Sequence, residues 1–167
     1  MKSFSLVILF IANLILNITL FSRIAVLGVI FNISIPIIIV LSMSERKGRS
    51  AYYGLMMGLM EDILFGNILG IKALSYYLIG YYVYKSQKNK GFDYKIGFIM
   101  TILSSLFNGI FTGLAGVVLD KLISFNSLVA YLKYPVFIEI AMNLLVFTIV
   151  YLIFKSIDTK RKRKYYM

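Results

Sequence analysis

Two uninterrupted uncharged blocks open the chain. Twenty residues separate Lys2 from Arg23, and 21 separate Arg23 from Glu45. A bilayer core of ~30 Å takes about 20 apolar helical residues, so each block has the length of one span. The first reads as a span rather than a signal peptide: it is long, has no A-x-A-like cleavage site and leads straight into the second. Pro36 lies inside the second block and is expected to kink its helix, which neighbouring helices tolerate. Residues 51–84 form a third apolar region, broken by "GNILG" at Gly66–Gly70. It reads as two short helices joined by a tight turn, either as two spans or as a re-entrant hairpin. Residues 96–119 and 134–154 complete the set. Pro135 suits the first turn of the last helix, where a missing N–H does no harm.

The expected fold is therefore all-α: a polytopic membrane bundle of about six transmembrane helices over residues 1–155, with a basic tail at 156–167. The mean hydropathy of +0.85 and 60% hydrophobic content agree with this reading. With the N-terminus inside, the inner segments hold Lys2; Arg46, Lys47 and Arg49; Lys85, Lys88, Lys90 and Lys95; and Lys155, Lys160, Arg161, Lys162, Arg163 and Lys164. The outer segments hold Arg23, Lys121 and Lys133, and Lys72 lies near the outer end of its helix. Such asymmetry predicts both termini on the cytoplasmic side of the membrane. The largest outer loop, "DKLISFNSLVAYLK", is short, so chemistry outside the membrane falls to a partner. The net charge of +11 belongs mostly to these flanks. It points to anionic lipid at the tail rather than to nucleic acid.

Chemistry is narrowly bounded. The chain has no Cys and no His, which excludes disulfides, thiolate and imidazole metal sites, and Ser-His or Cys-His nucleophiles. No catalytic residue, metal ligand or cofactor is expected. An intramembrane aspartyl protease needs two facing Asp residues, and Asp120 lies at the outer boundary of its span.

The polar residues inside the apolar blocks carry the rest of the reading. Gly54, Gly58, Asp62 and Gly66 recur every four residues and so share one helix face. Glycines at that spacing let another helix approach closely, so Asp62 is expected to point into the bundle. Asp62 is eleven residues beyond Ala51, roughly 17 Å into the membrane. A charge there needs a partner or a proton. Lys72, just past the turn that ends at Gly70, is the expected partner; Ser75 and Tyr76 are close enough to add hydrogen bonds. Glu61 is turned about 100° from Asp62 and flanks the same interface. The fifth helix has a small face of Ser105, Gly109 and Gly113, with Asn108 and Thr112 beside it. The sixth carries Glu139 and Asn143. Together these are candidate helix-packing or partner-interface positions (Gly54, Gly58, Asp62, Gly66, Gly70, Gly109, Gly113) and intramembrane polar positions (Glu61, Asp62, Lys72, Tyr76, Glu139, Asn143).

The stretches "GLMEDILFG" and "LGIKALSYYLIGYY" resemble the rod shape-determining MreD family of bacteria. The matching residues are Gly58-Leu59, Asp62, Gly66, Leu69-Gly70, Ala73-Leu74, Tyr76 or Tyr77, and Gly80-Tyr81. The basic loop "SERKGRS", Pro36 in an aliphatic span and Asn143 in the final span fit the same family. Glu61 and Lys72 are not carried by the resemblance. It implies a non-enzymatic membrane subunit of the cell-elongation machinery that supports peptidoglycan synthesis. It also implies association with an MreC-like protein, and through it with the MreB filament, a RodA-type glycan polymerase and a class B penicillin-binding protein. The alternative from the residues alone is a small-molecule carrier or the substrate-binding subunit of a transporter, with Asp62, Glu61, Tyr76 and Asn143 lining a polar pocket.

Overall fold

The computed structural model of the protein describes residues 3–17, 32–44, 48–65, 68–87, 93–119, 126, 129–130, 132–133 and 135–163. These fold into six helices: α1 (Ser3–Leu16), α2 (Ser34–Ser44), α3 (Arg49–Phe65), α4 (Ile71–Gln87), α5 (Tyr94–Leu119) and α6 (Pro135–Arg163). No strand occurs among the described residues.

Local chemistry sets several helix starts. Asn32 Oδ1 accepts the Ser34 N–H at 2.9 Å where α2 begins. Asp93 does the same for Lys95 at 3.0 Å at the head of α5. Both are side-chain caps of otherwise unpaired first-turn donors. Pro135 opens α6, as its fixed φ favours.

Three sequence expectations change. Pro36 stands in the first turn of α2, since Asn32 and Ile33 are not helical. It needs no intrahelical donor there and produces no kink. Second, α2 has 11 residues, about 16 Å, roughly half a bilayer core. Among the described residues, only α5 and the Pro135–Ser156 part of α6 are both long and apolar enough to cross a membrane. The expectation that the first uncharged block is one helix falls partly on residues outside the described set. Third, α6 continues to Arg163, so the basic segment from residue 156 begins as a continuation of the last helix.

α2 is the centre. It touches α3, α4, α5 and α6. Ile35, Ile38, Ile39, Val40 and Leu41 are fully buried on it, against Met57, Tyr76, Val83 and Phe147. A helix enclosed on every side must be apolar all round, and "IPIIIVL" is. The outward faces are equally apolar: Ile11 and Ile15, Met56 and Ile63, Ile99 and Leu103, Leu145 and Ile149 are all exposed. So much outward aliphatic surface fits lipid rather than water.

Candidate functional site

α3 and α4 form the most intimate helix pair, and glycine makes it so. A Cβ placed on Gly58 would lie 2.5 Å from Ala73 Cα, and one on Gly54 would lie 2.5 Å from the Tyr76 carbonyl oxygen. From the other side, a Cβ on Gly80 would lie 2.8 Å from Ala51 Cα. Backbone meets backbone at all three positions, so no larger residue fits without separating the helices. The face of α3 that carries Gly54 and Gly58 is covered by α4 of the same chain, which removes it as an open surface for another protein. Gly66, the last member of that row, lies outside the described residues. Gly70 has a different duty: its φ is 97°, a conformation that suits glycine in the turn leading into α4.

Asp62 closes this hairpin. Its Oδ2 accepts the backbone N–H of Gly70 at 2.9 Å, of Lys72 at 3.1 Å and of Ala73 at 3.2 Å. The residue is 2% exposed. A carboxylate from one helix thus caps the first turn of the next, where free N–H groups and the positive end of the helix dipole converge. The expected ion pair between Asp62 and the Lys72 side chain does not form. Lys72 gives Asp62 its main-chain N–H, and its ammonium lies 3.6 Å from Glu61 Oε2. The reason is rotational: Asp62 looks along the turn, and Glu61, one residue earlier, looks into the bundle.

Glu61, 4% exposed, is the hub of a polar cluster drawn from four helices. Its Oε1 accepts from Ser34 Oγ at 2.5 Å and from Asn17 Nδ2 at 3.2 Å. Its Oε2 accepts from the Tyr76 hydroxyl at 2.7 Å. Around it, Asn13 Nδ2 donates to Ser34 Oγ at 3.2 Å and to the Tyr53 hydroxyl at 3.4 Å, while Asn32 Nδ2 donates to the Tyr76 hydroxyl. Asn13, Asn17, Asn32, Ser34 and Tyr53 were not singled out from the sequence. A signal existed for two of them: Asn13 and Asn17 are one helix turn apart in an otherwise apolar stretch and share a face.

A second polar contact ties α4, α5 and α6. Ser75 Oγ donates to Asn108 Oδ1 at 2.8 Å, and Asn143 Nδ2 donates to Ser105 Oγ at 2.9 Å. Asn143 therefore serves the α5–α6 contact and not the Asp62 carboxylate. Thr112 bonds back to the Asn108 carbonyl of its own helix. Gly109 is buried and Gly113 half-buried on α5, and Glu139 is buried on α6.

Buried polar groups in an apolar bundle fix which helices meet, each interhelical bond contributing roughly 0.6–2 kcal/mol in membranes. Both Glu61 oxygens and the Asp62 carboxylate are engaged within the chain, an arrangement suited to fastening. Among the described residues no three His, Cys, Asp or Glu side chains gather as a metal-binding group. Compared with known proteins, the chain matches the model of the family described as rod shape-determining protein MreD over residues 1–158. No curated protein and no solved structure shows significant similarity to it. With more than nine-tenths of its length inside the family match, the chain belongs to the MreD family of rod shape-determining membrane proteins.

Proposed function

We propose that the protein is a non-enzymatic, multi-pass subunit of the cell-elongation machinery in the bacterial plasma membrane. It binds the membrane segment of an MreC-like protein. Through that partner it acts with an MreB filament, a RodA-type polymerase and a class B penicillin-binding protein in peptidoglycan synthesis along the cell body. The observation that carries this reading is the family match over residues 1–158. The internal engagement of Glu61 and Asp62 supports a scaffold over a carrier, because a carrier's polar groups must be open to their cargo.

Both termini are cytoplasmic in this reading. What supports it is the company of the basic residues. Gly48 meets the Tyr84 ring, and Tyr94 meets Tyr151 with ring centroids 5.2 Å apart. The start of α3, the end of α4, the start of α5 and the last turns of the α6 span therefore share one end of the bundle. Arg49, Lys85, Lys95 and Lys155 belong to that end. Lys85 and Lys155 sit over Tyr81 and Tyr151, each 5.9 Å from the ring centroid. Tyrosines with lysines beyond them mark a membrane interface, and an excess of Lys and Arg marks the cytoplasmic one. The basic end of α6 and the tail after it then face anionic lipid.

The test is depletion and complementation. Cells of a rod-shaped host lacking its own family member should regain rods when this chain is expressed, and an MreC-like protein should co-purify with it. Rods restored without any MreC-like protein in the purified complex would overturn the partner assignment.

A further inference from the structure

The outer surface of the α3–α4 hairpin differs from the aliphatic faces of the other helices. A row of aromatic rings crosses it. Tyr52 of α3 meets Tyr77 of α4 edge-on, with ring centroids 6.3 Å apart. Tyr77 stacks on Tyr81, one helix turn further along α4, at 6.4 Å. The Lys85 ammonium, one turn further still, lies 5.9 Å from the Tyr81 ring centroid. Tyr52 is 67% exposed and Tyr81 43%, and Lys85 is exposed. The row is thus a connected strip that opens outward and ends on a cation.

The strip lies on one side of the bundle. Of the four exposed tyrosines among the described residues, Tyr52, Tyr81 and Tyr82 belong to this hairpin and only Tyr94 does not. A general aromatic belt would ring the bundle at the membrane interface. Lys155 sits over a tyrosine at the same distance, but that ring, Tyr151, is buried. Two lysines at one end of the bundle therefore have different surroundings.

The groups present define what covers the strip. The hydroxyls of Tyr52, Tyr77 and Tyr81 hydrogen-bond to no other described residue, and each can donate one bond. An ammonium beside them is a point-charge partner for a phosphate. Ring bodies with polar tips suit the layer where acyl chains give way to ester and phosphate oxygens. Deeper on the same hairpin, Met56 and Leu74 are exposed and offer apolar contact to an acyl chain. Positive charge above hydroxyl donors and apolar side chains complements an anionic phospholipid from headgroup to tail.

We infer that the Tyr52–Tyr77–Tyr81 strip and Lys85 form a binding site for an anionic phospholipid, its phosphate at Lys85 and one acyl chain along the rings. The inference rests on this end of the bundle lying at the membrane interface, and not on the identity of any protein partner.

The experiment is native mass spectrometry of the detergent-purified full chain with equimolar phosphatidylglycerol and phosphatidylethanolamine. The parent should retain phosphatidylglycerol in preference. Lys85→Gln should weaken that retention about five-fold, the worth of one interfacial cation, and leave phosphatidylethanolamine unchanged. Tyr52→Leu/Tyr81→Leu should weaken both lipids, and Tyr81→Phe, which keeps the ring, should weaken them less. Lys155→Gln is the control and should change neither. Unfolding midpoints check that each variant is folded. The basic tail is present in every protein compared, so its own attraction for lipid cancels. Equal retention of the two lipids by the parent, or equal losses from Lys85→Gln and Lys155→Gln, would overturn the site. Unchanged lipid retention in Tyr52→Leu/Tyr81→Leu, with loss of a co-purifying membrane protein, would make the strip a protein docking surface instead.

Discussion

Lys72 reaches Glu61, not Asp62: its ammonium lies 3.6 Å from Glu61 Oε2, while Asp62 receives only its main-chain N–H. Two adjacent carboxylates thus do different work. One fastens helices through side chains, and the other starts a helix through the backbone.

This division predicts an unequal pair of double-mutant cycles. Glu61→Leu and Lys72→Leu should be coupled, the double variant melting higher than the sum of single losses implies. Coupling of about 1 kcal/mol is expected, the low end for a paired charge, because Lys72 is 32% exposed on its side chain. Asp62→Leu and Lys72→Leu should be additive. Thermal unfolding in detergent measures both, and coupling in the second cycle alone would reverse the assignment.

Asp62 should tolerate asparagine better than alanine. Asn keeps one oxygen to accept the N–H groups of Gly70, Lys72 and Ala73; Ala keeps none. Loss of a helix cap costs roughly 0.5–2 kcal/mol, and burial of the orphaned donors places Asp62→Ala at the upper end. Ranking the three proteins by unfolding midpoint checks it. Equal damage from Asn and Ala would mean that the negative charge, not the acceptor geometry, matters.

Gly58→Ala should be as harmful as a change of one methyl group can be. The added carbon meets the Ala73 backbone at 2.5 Å, and main chain cannot rotate aside as a side chain can. Overpacking of this kind costs typically 1–3 kcal/mol. The loss should appear as lowered stability of the isolated protein before any partner is added. A fully stable Gly58→Ala protein that fails only to retain an MreC-like partner would show that the close α3–α4 contact is not the constraint.

The chain has no native cysteine, which makes topology directly measurable. Single cysteines at Ser44, Lys85, Asn126 and Ser156 all occupy exposed positions. In intact cells an impermeant maleimide should label only the Asn126 position. Labelling at Lys85 without labelling at Asn126 would invert the bundle.

Much of this protein was legible in its composition along the chain. The long apolar blocks of α5 and α6, Gly54 and Gly58 one helix turn apart, and Asp62 before a Gly70 turn are local patterns. They reflect constraints that act within one helix or one hairpin: hydrocarbon thickness, the 3.6-residue turn, and the need of a tight turn for glycine. The stretch from Gly58 to Tyr81 on which the family resemblance mainly rests lies inside that hairpin. What only the tertiary structure decided was partnership across the bundle. Asn13, Asn17, Asn32 and Ser34 surround a glutamate between 27 and 48 positions away in the chain, and nothing in their local spacing specifies that distance. The exchange of partners at Lys72 has the same origin. Adjacent residues on a helix point about 100° apart, so which of Glu61 and Asp62 meets the lysine depends on where α1, α2 and α4 stand around α3. That placement is settled by packing of the whole bundle about α2.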